Sequence, residues 1–421
     1  MASDTPKNVV LTGDSLDILK SIPDNSIDSC VTDPPYGLSK EPNIREVLSK
    51  WMAGEDYTHR ANGFMGKSWD SFVPGPAIWN EVFRVLKPGG HILCFSGTRT
   101  QDLMTISLRM AGFEIRDVVE WLYTSGFPKS LDISKAFDKR AGVERHVIGE
   151  REVPDKRNGH GRADGSSLFA GEQTGKIVHQ ITEPTTDLAK QWHGWGTSLK
   201  PAHEPVILAR KPLLGNTCDT VEQYGTGAIN IRDCRIPFAD EKERQKLRHH
   251  PVENNTNSWK NTSEVMGYMT EDGLPPEEGR FPANCVTVDA DEWYSPFFNI
   301  TPKELSKKSS KKDRNSDWQG NVIDLEERRT YPGSGRGVIN SKYTLDGNER
   351  KPVKSRNHHP TVKPVELMAW LIKLVTPPGG IVLDPFGGSG STAVAARKNG
   401  FNFILIEREE EYAEVARARA A

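Results

Sequence analysis

Apolar positions along this chain fall into two sharply patterned blocks, one toward each end, separated by a long stretch in which no period is sustained. Residues 8–12 are a short β-rich run ending at Gly13 and Asp14, residues 15–20 carry apolar side chains at helical spacing, and residues 27–32 form a second strand before Asp33-Pro34-Pro35. A further unit follows. Residues 77–86 predict a helix, Lys87-Pro88-Gly89-Gly90 breaks it, 91–95 is a strand, 101–111 a helix and 113–123 another strand. The pattern blurs from about 130 to 200 until residues 204–209 supply one more strand, and 212–356 lacks sustained periodicity. The final block reads as helix 364–375, strand 381–383, a glycine-rich loop 384–391, helix 392–399, strand 401–406 and helix 408–420. Strands alternating with helices imply an α/β fold around a mainly parallel sheet. That sheet must be split, because its glycine loop lies near the C-terminal end of the sequence.

Composition narrows the class. A chain of 421 residues predicts two to three domains at roughly 150 residues each. No run approaches the roughly 18 apolar residues of a membrane span, and residues 1–10 lack an apolar segment behind a basic one. The chain is therefore expected to be neither secreted nor membrane-bound. The 5 cysteines (Cys30, Cys94, Cys218, Cys234, Cys285) are dispersed, without a paired motif, which predicts reduced thiols in a cytoplasm and neither a disulfide framework nor a zinc knuckle. No metal site is expected, His358 and His359 included. The formal net charge of −2 announces no polyanion partner, so charge has to be read by segment.

Strand, glycine-rich turn, helix is the geometry in which backbone approaches a ligand closely and a helix presents free N–H groups. Here the loop Asp384-Pro385-Phe386-Gly387-Gly388-Ser389-Gly390 begins with an acid, which suits a cationic cofactor better than a pyrophosphate. Glu407, 23 residues beyond Asp384, ends the next strand, where a carboxylate can accept from two ribose hydroxyls. Together these fit an adenosine with a charged amino-acid tail, as in S-adenosylmethionine. A plain tight turn and a solvated strand-end acid are the competing readings.

Asp33-Pro34-Pro35-Tyr36 follows a strand at the edge where open parallel sheets hold ligands. Two prolines remove two N–H donors and restrict φ, so the Asp33 carboxylate and Pro34 carbonyl can form a rigid pair of acceptors. An exocyclic aromatic amine needs such a pair. Its lone pair is delocalised into the ring, and acceptors on both hydrogens draw the nitrogen toward a tetrahedral, nucleophilic state. Tyr36 offers a flat face to the base. A proline-rich turn after an edge strand is the bland alternative.

With these residues in view, the sequence resembles the amino-group DNA methyltransferases, N6-adenine and N4-cytosine, in the permuted order that places the tetrapeptide before the cofactor loop. The resemblance rests on Thr-Asp-Pro-Pro-Tyr-Gly at 32–37, Pro-Thr-Val-Lys-Pro at 360–364 and Leu-Asp-Pro-Phe-Gly-Gly-Ser-Gly-Ser-Thr at 383–392. Segments 194–204 and 224–230 are similar to its phage and prophage branch. It implies a Rossmann-like, circularly permuted methyltransferase sheet with an irregular inserted DNA-recognition region. Residues 8–130 would be the catalytic half, 131–191 a polar insertion, 192–212 a return strand, 213–356 the target-recognition region and 357–421 the cofactor-binding half.

The resemblance also implies roles. Asp33, Pro34, Pro35 and Tyr36 would be catalytic. Asp14, Thr361, Lys363, Pro364, Asp384, Pro385, Phe386, Gly387, Gly388, Ser389, Gly390 and Glu407 would surround S-adenosylmethionine, with Thr361 and Lys363 near its methionine end. Lys363 capping a helix is the other reading. Trp121 and Phe127 would line the target-base pocket, with plain core as the alternative for Trp121. The partner would be double-stranded DNA, with a flipped adenine as target and N4-cytosine methylation as runner-up; a homodimer is left open. Cytosine C5 chemistry is disfavoured, since it typically uses a cysteine after a proline and none of the 5 cysteines follows one.

A nicotinamide-dependent oxidoreductase would also use a glycine loop, but regular G-x-G-x-x-G spacing is missing and Asp33 to Tyr36 would go unexplained. A DNA-binding protein without catalysis would have no use for the intact motifs. Residues 303–356 hold 14 Lys plus Arg against 8 Asp plus Glu, the composition of a phosphate-contacting surface or of a solvated polar loop.

Overall fold

The computed structural model describes residues 5–38, 41–59, 70–123, 130–154, 176–238, 240–246, 274, 276–286, 323–324, 354–355, 357, 359 and 361–421. In chain order the elements are β1 (Val9–Thr12), α1 (Ser15–Leu19), β2 (Ile27–Thr32), α2 (Ile44–Met52), α3 (Pro76–Val85), β3 (Leu86–Phe95), α4 (Gln101–Met110) and β4 (Glu114–Leu122). Next come α5 (Ile133–Ala141), β5 (His146–Pro154), β6 (Lys176–Glu183), α6 (Asp187–Gln191), β7 (His203–Arg210), α7 (Thr217–Tyr224), α8 (Glu241–Lys246), β8 (Cys285–Val286), β9 (Ile323–Asp324) and β10 (Lys354–Ser355). The chain closes with α9 (Val365–Val375), β11 (Ile381–Asp384), α10 (Ser391–Lys398), β12 (Asn402–Glu407) and α11 (Glu410–Ala420).

Eight strands form one sheet in the order β1-β12-β11-β2-β3-β7-β4-β8. Among the described residues of this sheet, only β7 runs antiparallel to its neighbours; the remaining pairings in it are parallel. This is the expected α/β, Rossmann-like sheet, and the two patterned ends of the chain interleave in it through the pairing of β11 with β2. Both faces are covered, so the central strands read as continuous apolar runs. Val31, Leu93, Phe95, Val206 and Leu208 pack on one face with α9 and α10. Their alternates Cys30, Ile92, Cys94, Ile207 and Ala209 pack on the other with Trp79 and Met104, from α3 and α4.

Contacts divide the chain into two compact units, residues 1–125 with 202–421, and residues 126–201. The second holds α5, the antiparallel β5–β6 hairpin and α6, where the sequence showed only polar text. Its Asp138, 1% exposed, accepts from Arg145, Thr185 and Thr186 and so ties helix to hairpin.

One boundary differs from expectation. The expected break at Lys87-Pro88-Gly89-Gly90 lies inside β3, which starts at Leu86 opposite Ile27. The ladder shifts register between Ile27 and Ser29, and Gly89 takes φ +76°, a left-handed value that glycine adopts without steric cost. A bulge therefore absorbs residues that read locally as a stop. Helices α2 and α7, also unforeseen, are short and begin with asparagine caps: Asn43 accepts from Arg45 N–H, and Asn216 forms a capping box with Asp219.

Candidate active site

The strand order brings the carboxyl ends of β2 and β11 together, and with them the tetrapeptide and the glycine loop. Thr32 Oγ1 donates to Asp384 Oδ1 at 2.7 Å, joining residues 352 apart in sequence. Thr392 donates to Asp384 Oδ2 at 2.6 Å, and the Phe386 N–H donates to Oδ1 at 3.1 Å. Asp384 is 3% exposed, so this carboxylate is turned inward to organise the loop, rather than outward to a cofactor as its position in the loop suggested.

Burial pushes the Asp384 carboxyl up to about 6, against the pull of the Thr392, Thr32 and Phe386 donors. The folded state therefore holds this proton more tightly than the unfolded chain does. The group's contribution to stability is greatest at low pH and falls as pH rises from the ordinary carboxylate range through about 6. Asp384→Asn is expected to gain stability relative to the wild-type protein across that interval. Urea unfolding at a series of pH values measures the difference, and a pH-independent gap would refute it.

The glycines of the loop are required by close packing. Gly387 N–H donates to Ile406 O at 2.8 Å, and the backbone there lies directly on Leu405. Gly390, with φ +83°, abuts the Ala416 backbone, and Gly388, with φ +49°, lies against the His359 ring. Glu407 Oε2 accepts the Gly388 N–H at 2.8 Å and Oε1 the Glu409 N–H at 2.9 Å. Burial raises the Glu407 carboxyl, and those two N–H donors oppose it.

Ser389 is held from an unforeseen direction. Arg419, 0% exposed in α11, donates from Nη1 to Ser389 O at 2.6 Å and to its Oγ at 3.1 Å. Arg419→Met is expected to cost about 1–3 kcal/mol by leaving a buried carbonyl unpaired. Thermal unfolding and the cofactor dissociation constant would both report the loss, and neither moving would exclude a bracing role.

The tetrapeptide turn is braced by two more residues that the sequence did not single out. Asp70, 4% exposed, accepts the Tyr36 and Gly37 N–H groups at 2.9 and 3.2 Å, and Thr100 Oγ1 donates to Tyr36 O at 2.6 Å. Asp33 Oδ2 faces the Lys363 ammonium at 2.6 Å. The same ammonium donates to the Tyr36 hydroxyl at 3.0 Å and lies 4.7 Å from the Phe95 ring centroid. Tyr36 in turn donates to Glu204 Oε2 at 3.0 Å. Burial alone would lower the Lys363 ammonium, but the Asp33 and Glu204 carboxylates outweigh it and raise the value. Burial, with Asp33 and Glu204, also drives the Tyr36 hydroxyl well up, so it stays a donor.

The remaining predicted residues are distributed around this edge. Asp14 is exposed and caps α1 by accepting the Leu16 N–H. Pro385 O accepts from Ser15 Oγ, and Phe386 packs 6.0 Å from Trp79. Pro364 is the N-cap of α9 and Thr361 is exposed, its carbonyl bonded to the His359 ring. Lys363 does not cap a helix; it sits on the Asp33–Tyr36 tetrapeptide. Trp121 is 2% exposed and packs in the core against Phe95 and Tyr123. Phe127 lies outside the described residues, as do most of 303–356.

Glu204 was invisible as a site residue because β7 runs the other way. Its amino end reaches the edge where β2, β3 and β4 end, and pairing places Glu204 opposite Trp121. An acid at the start of a strand, after Lys200-Pro201-Ala202-His203, is the only local signal. Among the described residues, the carboxylates of Asp33, Glu204 and Glu407 and the Lys363 ammonium stand around this edge, with Asp384 turned inward beneath it. A net negative set of this kind suits a cationic ligand better than a polyphosphate.

A mostly parallel sheet with the Asp33–Tyr36 turn beside a glycine-rich strand-to-helix loop defines a Rossmann-like α/β protein. The family model N6_N4_Mtase, described as DNA methylase, matches residues 27–418, and the chain belongs to that family. Over 64 residues it is 52% identical to YubD of Escherichia coli (strain K12), a methylase by name, covering 15% of this chain and 28% of that protein. Over 70 residues it is 44% identical to the type II methyltransferase M2.DpnII of Streptococcus pneumoniae, covering 17% and 26%. The matched stretches thus span little more than a quarter of those relatives. The solved PvuII DNA methyltransferase (cytosine-N4-specific) aligns over 99% of this chain and 87% of its own at 14% identity, with a TM-score of 0.43. Among the described residues no helix is long and apolar enough to cross a membrane.

Proposed function

We propose that this protein transfers a methyl group from S-adenosylmethionine to the exocyclic N6 of adenine in double-stranded DNA, with cytosine N4 as the alternative acceptor. The observation that carries the reading is the Thr32–Asp384 hydrogen bond, which seats the amine-binding turn against the cofactor loop.

S-adenosylmethionine supplies an electrophilic methyl on a sulfonium centre. Phe386, Gly387, Gly388, Ser389 and Gly390 would cradle it, Glu407 and Asp14 would take its ribose and adenine edge, and Asp384 would hold the loop in shape from beneath. Asp33 and the Pro34 carbonyl accept the two amine hydrogens, which localises the nitrogen lone pair. The Lys363 ammonium lies 5.2 Å from the Tyr36 ring centroid, toward its hydroxyl end, and an extruded base would stack on that ring. Extrusion costs a few kcal/mol, and alignment of nitrogen with the methyl group repays it.

Residues 213–356, with the basic excess in 303–356, form the target-recognition region in this reading. The tetrapeptide-first order corresponds to the permuted arrangement, in its phage and prophage branch. Purified protein incubated with duplex DNA and methyl-labelled cofactor, followed by digestion to nucleosides, tests the proposal. Label on N6-methyladenine supports it, label on N4-methylcytosine selects the alternative, and unlabelled DNA across diverse sequences rejects the reading.

A further inference from the structure

Asp33 must meet the hydrogens of an incoming amine, yet its Oδ2 is already paired with the Lys363 ammonium. That ammonium also donates to the Tyr36 hydroxyl and lies 3.3 Å from Glu204 Oε2. A nitrogen bearing hydrogens, surrounded by oxygen acceptors, already sits against the oxygen that the substrate nitrogen needs. The side chains are 10% (Lys363), 20% (Asp33) and 15% (Glu204) exposed, so little water screens their charges.

Two carboxylates against one ammonium leave the cluster with one net negative charge. Without Glu204 the cluster would be neutral, and Lys363 would have Asp33 as its one charged partner. An amine nitrogen that becomes positive as its bond to the methyl carbon forms would then meet a neutralised pair. Glu204 is itself held firmly, by the Tyr36 hydroxyl at 3.0 Å and by a hydrogen bond from Tyr123.

We propose that Glu204 is a positioning residue of the transfer reaction: it takes over the Lys363 ammonium so that the Asp33 carboxylate is released to the target amino group. The proposal rests on the methyltransferase reading above. In the step it serves, the amine lone pair forms the N–C bond and the C–S pair leaves with sulfur. The resulting cationic nitrogen loses one proton to water, and Glu204 and Lys363 keep their charges throughout.

The test is single-turnover methylation of duplex DNA by the full-length enzyme, with cofactor affinity measured by calorimetry. Glu204→Gln should slow the step by about tenfold or more while cofactor affinity stays within about twofold. Glu204→Asp, which retains the charge, should keep more of the rate. The double variant Glu204→Gln with Lys363→Met returns the net charge to one negative and should be faster than Glu204→Gln alone, a non-additivity that a purely structural role does not produce. Glu204→Gln at wild-type speed, or a double variant no faster than it, overturns the proposal while methylation by the wild-type enzyme leaves the broader reading standing. A wild-type enzyme that methylates no DNA overturns both.

Discussion

Replacing Asp33 by alanine is expected to abolish methyl transfer, lowering the single-turnover rate by about a thousandfold or more, while S-adenosylmethionine still binds. The magnitude follows from removing a preorganised polar group aimed at the charge that develops in the transition state, where one such group is worth about 10²–10³ in rate. Asp33 also anchors Lys363, so its loss removes the acceptor and leaves an ammonium in its place. Cofactor binding is spared because Thr32, not Asp33, bonds to the glycine-loop anchor Asp384. Parallel measurement of methylation and cofactor affinity separates the two effects. An Asp33→Ala enzyme that methylates at the wild-type rate would refute the acceptor pair.

Gly387→Ala should have the converse signature, with cofactor affinity reduced at least about tenfold and stability lowered by about 1–3 kcal/mol. A β-carbon at this position would overlap Leu405 Cγ and both its methyls. Leu405 is 0% exposed in the middle of β12 and packed within the core, so its side chain yields poorly. Relief then requires the loop to lift, which breaks the Gly387 N–H bond to Ile406 and moves the cradle. Calorimetric titration with the cofactor and a thermal melt would measure both effects. Wild-type affinity in the variant would show that the loop does not hold the cofactor.

The two predictions concern motifs that could be read from the chain, because each is a short run whose chemistry lies in adjacent residues. The same holds for most strands and helices of the larger unit. The strands 27–32 and 91–95, buried on both faces, and the helical spacing along 364–375 are local consequences of which faces are buried. The reading failed where local signals were weak or misleading. Residues 87–90 look like a terminator yet lie within β3 as a bulge, because Leu86 finds a partner in Ile27. The hairpin β5–β6 leaves Val147, Ile148, Val178 and Ile181 exposed, so no core-facing alternation marks it in the sequence.

Sequence alone determined the class of fold, the proline-stiffened turn at Asp33 to Tyr36 and the acid-led glycine loop at 384–390, since backbone stiffness, turn chemistry and side-chain period act over a few residues. Tertiary structure decided which groups surround them. Lys363 meets Asp33 across 330 positions and Tyr36 meets Glu204 across 168, and Arg419 grips a loop carbonyl 30 positions upstream. Nothing in a local run of residues encodes such meetings. They follow from strand order and from the one reversed strand, which are set by how the whole set of apolar faces can be buried together.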